Sequence, residues 1–278
     1  MSLYITSLNS GSNGNCYYIG NEEEAVFIDA GISCKETEKR MKRLGLSMSR
    51  VKAIFVSHEH TDHIAGIPVL AAKYKLPVYG TLQTLQQGRL NLQGQEIVAF
   101  RSHETITIGG LSITAFPKFH DACDPHSFII AGNSVKVGVF TDIGQPCDQL
   151  THYFSQCHAA FLEANYDEQM LDEGRYPYFL KHRIRGGNGH LSNRQALDVF
   201  TGHKPAYMTH LLLAHLSKNN NCPQLVADLF QTNAAGTQIV VASRHAETPV
   251  YHITGTGTIA PVLRSIDHAM AMPQLSLF

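Results

Sequence analysis

The run His58-Glu59-His60-Thr61-Asp62-His63, set directly behind the apolar stretch Ala53-Ile54-Phe55-Val56-Ser57, constrains this chain more than any other feature. A β-strand that ends in such a turn presents His58 and His60 on the same side, because side-chain direction repeats every two residues. Asp62 and His63 fall where the chain bends into the helical pattern of residues 64–74. One turn thereby offers two nitrogens to one metal ion, and an oxygen and a nitrogen to a second. Neutral imidazole suits zinc, manganese or iron, and the carboxylate beside it favours an open hydrolytic site over a closed structural one. A His-rich surface loop is the alternative, and this spacing argues against it.

Strand-like runs fall at residues 3–7, 16–19, 25–29 and 53–57, and again at 97–100, 111–116, 127–131, 135–140 and 159–162. Helical periodicity appears at 35–44, 64–74 and 81–88, and later near 178–184, 193–200 and 223–230. Two series of strands with helices interspersed predict an α/β fold in which sheet packs on sheet and helices lie outside. No apolar run approaches the length of a membrane span. The start Met1-Ser2-Leu3-Tyr4-Ile5-Thr6 reads as a strand rather than a signal peptide, so a cytoplasmic protein with no membrane partner is expected. Its six cysteines are scattered, with no CxxC pair, and read as reduced thiols. A net charge of -1 excludes a general polycation but leaves room for a local basic patch.

Further metal-ligand candidates stand at predicted strand ends: His120 in Phe116-Pro117-Lys118-Phe119-His120-Asp121, Asp142 in Thr141-Asp142-Ile143-Gly144, and His215 in Leu213-Ala214-His215-Leu216-Ser217. His210 is the alternative to His215. This order, HxHxDH followed by His, Asp and His, resembles the metallo-β-lactamase superfamily, as does the early Val26-Phe27-Ile28-Asp29-Ala30-Gly31, whose Asp orients the metal-binding loop there. Ser10-Gly11-Ser12-Asn13-Gly14-Asn15, Phe119-His120-Asp121-Ala122, Glu163-Ala164-Asn165-Tyr166-Asp167, Gly189-His190-Leu191-Ser192-Asn193 and His215-Leu216-Ser217-Lys218 together look like its YycJ/WalJ-type branch of nucleases and phosphodiesterases.

The resemblance runs to about residue 260 and implies an αββα sandwich over residues 1–260; the patterning fades after about Thr258, so residues 261–278 are read as a tail. It implies that His58, His60 and His120 hold one divalent ion, that Asp62, His63 and His215 hold the other, and that Asp142 bridges them. Two such ions roughly 3.5–4 Å apart can hold a hydroxide nucleophile and stabilise both oxygens of a phosphodiester under attack. Expulsion of an alkoxide also asks for an acid. His190 resembles the proton-donating histidine of ribonuclease Z, and Glu163 the glutamate that orients it. A carboxylate bonded to an imidazole favours the protonated, donating form. Asp62, Glu163 and His190 are therefore the candidate catalytic residues. The alternative role of His190, capping the helix near Asn193, is structural. Where some relatives are expected to carry His, this chain has Tyr166, so no role carries over to that position.

Lys181, Arg183 and Arg185 lead through Gly186-Gly187-Asn188-Gly189 into His190 and would suit phosphate oxygens; a solvated loop is the competing reading. Ser12, Asn13 and Asn15 form a second, polar candidate rim. The chain closes with Gln274-Leu275-Ser276-Leu277-Phe278, which looks like the pentapeptide that docks bacterial replication and repair proteins on the DNA polymerase sliding clamp. In that reading Gln274 supplies an amide at the mouth of a cleft, while Leu275, Leu277 and Phe278 fill apolar pockets. These features predict a two-metal DNA exonuclease of replication or repair, with RNA a lesser candidate substrate. A thioester or lactone hydrolase on the same fold would need neither Glu163/His190 nor a basic loop. No long inserted arm for gripping transfer RNA is evident, which counts against a ribonuclease Z-like activity. The complete set of ligand candidates counts against a non-catalytic adaptor.

Overall fold

The computed structural model describes residues 2–92 and 94–255; the clamp-like pentapeptide and the rest of residues 256–278 lie outside them. Two seven-stranded sheets carry the architecture. The first is built from β1 (Ser2–Asn9), β2 (Cys16–Gly20), β3 (Ala25–Ile28), β4 (Val51–Phe55), β5 (Val78–Gly80) and β6 (Ile97–Ala99). The second is built from β7 (Thr105–Ile108), β8 (Leu111–Pro117), β9 (His126–Gly132), β10 (Val135–Phe140), β11 (Ala159–Glu163), β12 (His210–Ala214) and β13 (Gln238–Val241). Then β14 (Tyr251–Thr254) returns to the first sheet and pairs antiparallel with β1. In each sheet an antiparallel half continues into a parallel half: β3 to β6 in one, β10 to β13 in the other.

Parallel neighbours need crossovers. The first sheet uses α1 (Cys34–Arg43), α2 (Thr61–Ile64), α3 (Ile67–Tyr74) and α4 (Leu82–Gln87). The second uses α5 (Asp148–Phe154), α6 (Glu168–Glu173), α7 (Tyr178–Arg185), α8 (Asn193–His203) and α9 (Pro223–Gln231). Most inner strands are buried on both faces, so they read as continuous apolar runs. Alternate residues then serve different cores. Val26, Ile28, Ala53 and Phe55 meet Val137, Val139, Phe161 and Leu212 between the sheets. Phe27 and Ile54 pack outward on Ile67 and Leu70 of α3, and Leu162 and Leu213 pack outward on Phe200 of α8 and Phe230 of α9. This is the expected αββα sandwich.

One predicted helix is interrupted. The pattern over residues 64–74 is split into α2 and α3 around Gly66, whose N–H donates to Ala30 O at 2.8 Å. A Cβ on Gly66 would lie 1.9 Å from Ile32 O, so only glycine lets these backbones touch. Pro68 then opens α3, where its missing N–H costs nothing. All six cysteines are unpaired, and among the described residues no helix is long and apolar enough to cross a membrane.

Candidate metal centre

The chemistry-bearing residues collect where the parallel strands end. Asp29 follows β3, His58 lies three residues past β4, Asp142 two past β10, and His215 directly follows β12, while Glu163 closes β11. The crevice outside the carboxyl ends of parallel strands is where open α/β sheets place their ligands. Asp29, Asp142 and His215 have φ of 60°, 57° and 56°. Left-handed backbone costs a residue with a Cβ roughly 1–2 kcal/mol, so the surrounding packing holds three strained turns at one edge.

Three groups of donor atoms converge there, each with its atoms within 4.8 Å of one another: His58, His60 and His120; Asp62, His63 and His215; and His58, His63 and Asp142. His60 Nδ1 faces His58 Nε2 at 3.1 Å and His120 Nε2 at 3.3 Å. Asp62 Oδ2 lies 3.5 Å from both His63 Nε2 and His215 Nε2. Asp142 sits between the sets, with Oδ2 3.3 Å from His63 Nε2 and Oδ1 3.9 Å from His120 Nε2. Nitrogens about 2.0–2.1 Å from one tetrahedral ion stand roughly 3.3 Å apart, which is the spacing of the first set. Asp142 Oδ2 is buried without a hydrogen-bond partner, a costly arrangement for a carboxylate unless a cation meets it. These donors fit divalent metal ions.

The opposite ring nitrogens are anchored. His63 Nδ1 donates to Asp29 Oδ2 at 2.7 Å. Ser57 Oγ donates to the same carboxylate and so accepts from His58 Nδ1 at 2.9 Å. His120 Nδ1 donates to Gly189 O at 3.0 Å, and His215 Nδ1 lies 3.1 Å from Glu163 Oε1. Each anchor sets the tautomer that leaves Nε2 toward the crevice. In a fourth group of neighbouring donors, Asp142, Glu163, His190 and His215, all but Asp142 are joined to one another by hydrogen bonds. Glu163 Oε2 accepts from the N–H groups of Ile143 and Leu191, and Oε1 takes His190 Nδ1 at 2.7 Å as well as His215.

Burial disfavours charge on the imidazoles and pulls His58 down, and His120 to about 4. It opposes protonation of His63 and His215 too, but there the carboxylates win. Asp142, Asp29 and Asp62 hold His63 well above the usual histidine range, while Asp142, Asp62 and Glu163 hold His215 at about 10. Burial likewise works against ionised Glu163, yet His190 and His215 keep it down at about 2. The carboxylates thus draw positive charge to the His63 and His215 side of the site, while the His58 and His120 side stays neutral.

The segment after Glu163 runs beside the His190 segment. Tyr166 bridges Ser192, and Asn165 N–H donates to Leu191 O, so Glu163 and His190 meet across 27 positions of sequence. The cap of α8 is Ser192, whose side chain accepts from Gln195 N–H, leaving the His190 ring outside the capping interaction. His210 lies at the other end of β12 from His215, its ring 5.1 Å from that of Tyr251 and tilted 53° to it.

The basic run is not a free loop. Lys181, Arg183 and Arg185 stand on α7, where Arg183 Nε meets Asp121 Oδ2 at 2.5 Å, Arg185 pairs with Asp172, and Lys181 donates to Asp172 O at 2.6 Å. In the following turn, the N–H groups of Gly189 and His190 are taken by Gly186 O and Ile184 O. Ser12 and Asn13 are exposed, and Asn13 Nδ2 donates to Arg244 O at 2.9 Å.

Asn15 of the candidate rim and two further residues, Asn165 and Lys118, belong to the site's surroundings. Asn15 is buried, with Nδ2 3.2 Å from Asp62 Oδ2 and 3.0 Å from His63 Nε2. Asn165 Nδ2 donates to His215 O at 2.8 Å. Lys118 is buried, its ammonium donating to Thr141 O at 2.6 Å, and burial pulls its pKa down against the pull of Asp142 and Asp29. Only the two-residue step from Lys118 to His120, placing both on one side of the chain, could have marked the lysine.

Comparison with known proteins agrees with this geometry. The model of the beta-lactamase superfamily domain matches residues 24–215. The chain belongs to this superfamily. Within it, the chain is similar to exodeoxyribonuclease YycJ of Bacillus anthracis, 36% identical over 232 residues that cover 81% of this chain and 86% of that one. Exodeoxyribonuclease WalJ of Streptococcus pneumoniae is 31% identical over 225 residues, covering 78% and 83%. The metallo-beta-lactamase fold protein YhfI of Bacillus subtilis superposes with a TM-score of 0.70 at 17% identity, over 91% of this chain and 100% of that one, a likeness of fold.

Proposed function

We propose that this chain is an exodeoxyribonuclease working with two divalent ions, zinc or manganese. His58, His60 and His120 would hold one, Asp62, His63 and His215 the other, and Asp142 would reach both. The observation that carries this reading is the convergence of these side chains at one sheet edge, with Asp142 Oδ2 buried and unpartnered between them. When bound, such ions supply Lewis acidity and an activated water at neutral pH.

The chain's own groups account for the rest. Asp29, Ser57, Gly189 O and Glu163 hold four imidazoles in the tautomer that ligation needs. Glu163 stays ionised and fixes His190 through Nδ1, so Nε2 can hand a proton to the leaving oxygen of a phosphodiester. Side-chain exposure of 22% leaves His190 open to substrate, while Glu163 is closed to it. Asp62 serves as a ligand and, with its half-buried carboxylate, stands among the catalytic groups. DNA as substrate is supported by the exodeoxyribonuclease relatives, and action in replication or repair by the sliding-clamp-like residues Gln274, Leu275, Leu277 and Phe278 on a tail behind the hydrolase unit.

The test is incubation with end-labelled single- and double-stranded DNA, matching RNA and a thioester, with Mn²⁺ or Zn²⁺ added. Metal-dependent shortening of DNA from an end is expected. Hydrolysis of the thioester with all nucleic acid intact would overturn the reading.

A further inference from the structure

Helix α7 buries none of its eight residues. Tyr178 and Phe179, which open it, are 77% and 73% exposed, more than any other large hydrophobic side chain among the described residues. Polar contacts rather than packing hold the helix in place: Arg183 to Asp121, Arg185 to Asp172, and the His190 N–H to Ile184 O at 2.8 Å. Leaving two aromatic rings in water forfeits the largest apolar burial a short helix can contribute, which points to a partner met from solution.

The patch continues the crevice. The His190 contact sets the C-terminal end of α7 against the segment of the candidate acid, and Phe179 precedes Ile184 by five residues, about 7.5 Å along the helix axis. Phe179 also shares a helix face with Arg183, four residues on, whose side chain reaches Asp121 next to His120. Cations frame the rings. Among the described residues Arg175 has no acidic partner, and Lys181, three positions past Tyr178, gives its ammonium to a backbone carbonyl, Asp172 O, rather than to a carboxylate. The His182 ring lies against Tyr178, with centroids 4.2 Å apart. Aromatic faces beside unmatched cations are what single-stranded nucleic acid requires: bases stack on the rings whatever their sequence, and phosphates meet the charges.

We propose that Tyr178 and Phe179 form a stacking platform for an unpaired DNA base about two nucleotides from the scissile bond, counted at the roughly 3.4 Å spacing of a stacked strand. The inference rests on the nuclease reading. Because His190 is the acid for the leaving oxygen in that reading, the platform lies on the leaving-group side. A base inside a duplex is already stacked on both faces, so the strand that crosses α7 is single, and Arg175 and Lys181 meet its phosphates.

The test measures kcat/KM on single-stranded DNA, divided by kcat/KM on bis(p-nitrophenyl) phosphate, for the wild type, Phe179→Ala, Phe179→Leu and Tyr178→Ala. Loss of stacking on one ring predicts a fall in this ratio of roughly five- to a hundredfold in both Phe179 variants, carried by KM on DNA. Leucine keeps apolar area but has no ring, so a wild-type ratio in Phe179→Leu overturns stacking. A single abasic residue walked along the strand locates the platform: the wild type should pause at one fixed distance from it, and Phe179→Ala should not. DNA degradation with ratio and pause unchanged in Phe179→Ala overturns the platform and leaves the nuclease reading standing. So does a wild-type dimer that Phe179→Ala dissociates at an unchanged ratio, which would give the patch to a second copy of the chain. Hydrolysis of the reference substrate with no DNA degradation overturns both readings.

Discussion

Asp29 and His63 are joined at 2.7 Å, Oδ2 to Nδ1, with both side chains fully closed to solvent. The carboxylate also accepts the Ser57 N–H and hydroxyl, and through that hydroxyl it governs His58. One side chain at the end of β3 therefore orients two imidazoles, each from a different donor set. It does so from a left-handed backbone conformation that the packing of the sheet edge must hold.

Asp29→Ala should therefore weaken metal binding at both sets without removing a ligand. Loss of such an outer partner costs about ten- to a hundredfold in affinity. Competition with a fluorescent chelator reads this directly, and affinity equal to the wild type would contradict the orienting role.

His190→Ala should lower kcat by about 10²–10⁴-fold, the range of a general acid, while metal content stays at the wild-type level. Leaving groups that need no proton, such as p-nitrophenolate, should suffer least. Equal losses on DNA and on the p-nitrophenyl ester would make His190 a structural residue.

Glu163→Gln should behave differently from His190→Ala. Glu163 Oε2 accepts two backbone N–H groups and Oε1 serves two histidines, so its loss touches structure as well as the acid. Both a fall in kcat and a stability loss of roughly 1–3 kcal/mol are expected by denaturant titration. A variant with full stability and full turnover would remove Glu163 from the account.

Removal of residues 274–278 should leave turnover on free DNA unchanged and abolish binding to the sliding clamp in a polarisation assay. Equal clamp binding by the truncated chain would strip the tail of that role.

Much of the site was legible because its residues sit at strand ends, and strand ends can be read from apolar runs. His58, Asp142 and His215 follow such runs closely enough to place them at one edge once two sheets are inferred. Partners drawn from distant segments could not be read in this way. The charges of Arg183 and Arg185 looked free because Asp121 and Asp172 reach them only in three dimensions. Conversely, Lys218 and Arg244 lie 26 positions apart and share a cavity only because β12 and β13 are parallel neighbours. Short strands were equally hard to see. The half-buried β7 and β13 have four residues each and owe their state to the sheet they extend. Gly66 broke a helix for a reason, contact with Ile32 O, that no local pattern contains.

Metal content and DNA turnover measured together on the wild type and on Asp142→Ala test the central claim most directly. Two ions per chain with metal-dependent DNA degradation in the wild type, and loss of both bound metal and turnover in Asp142→Ala, is the predicted result. Undiminished turnover in Asp142→Ala would contradict the two-metal centre.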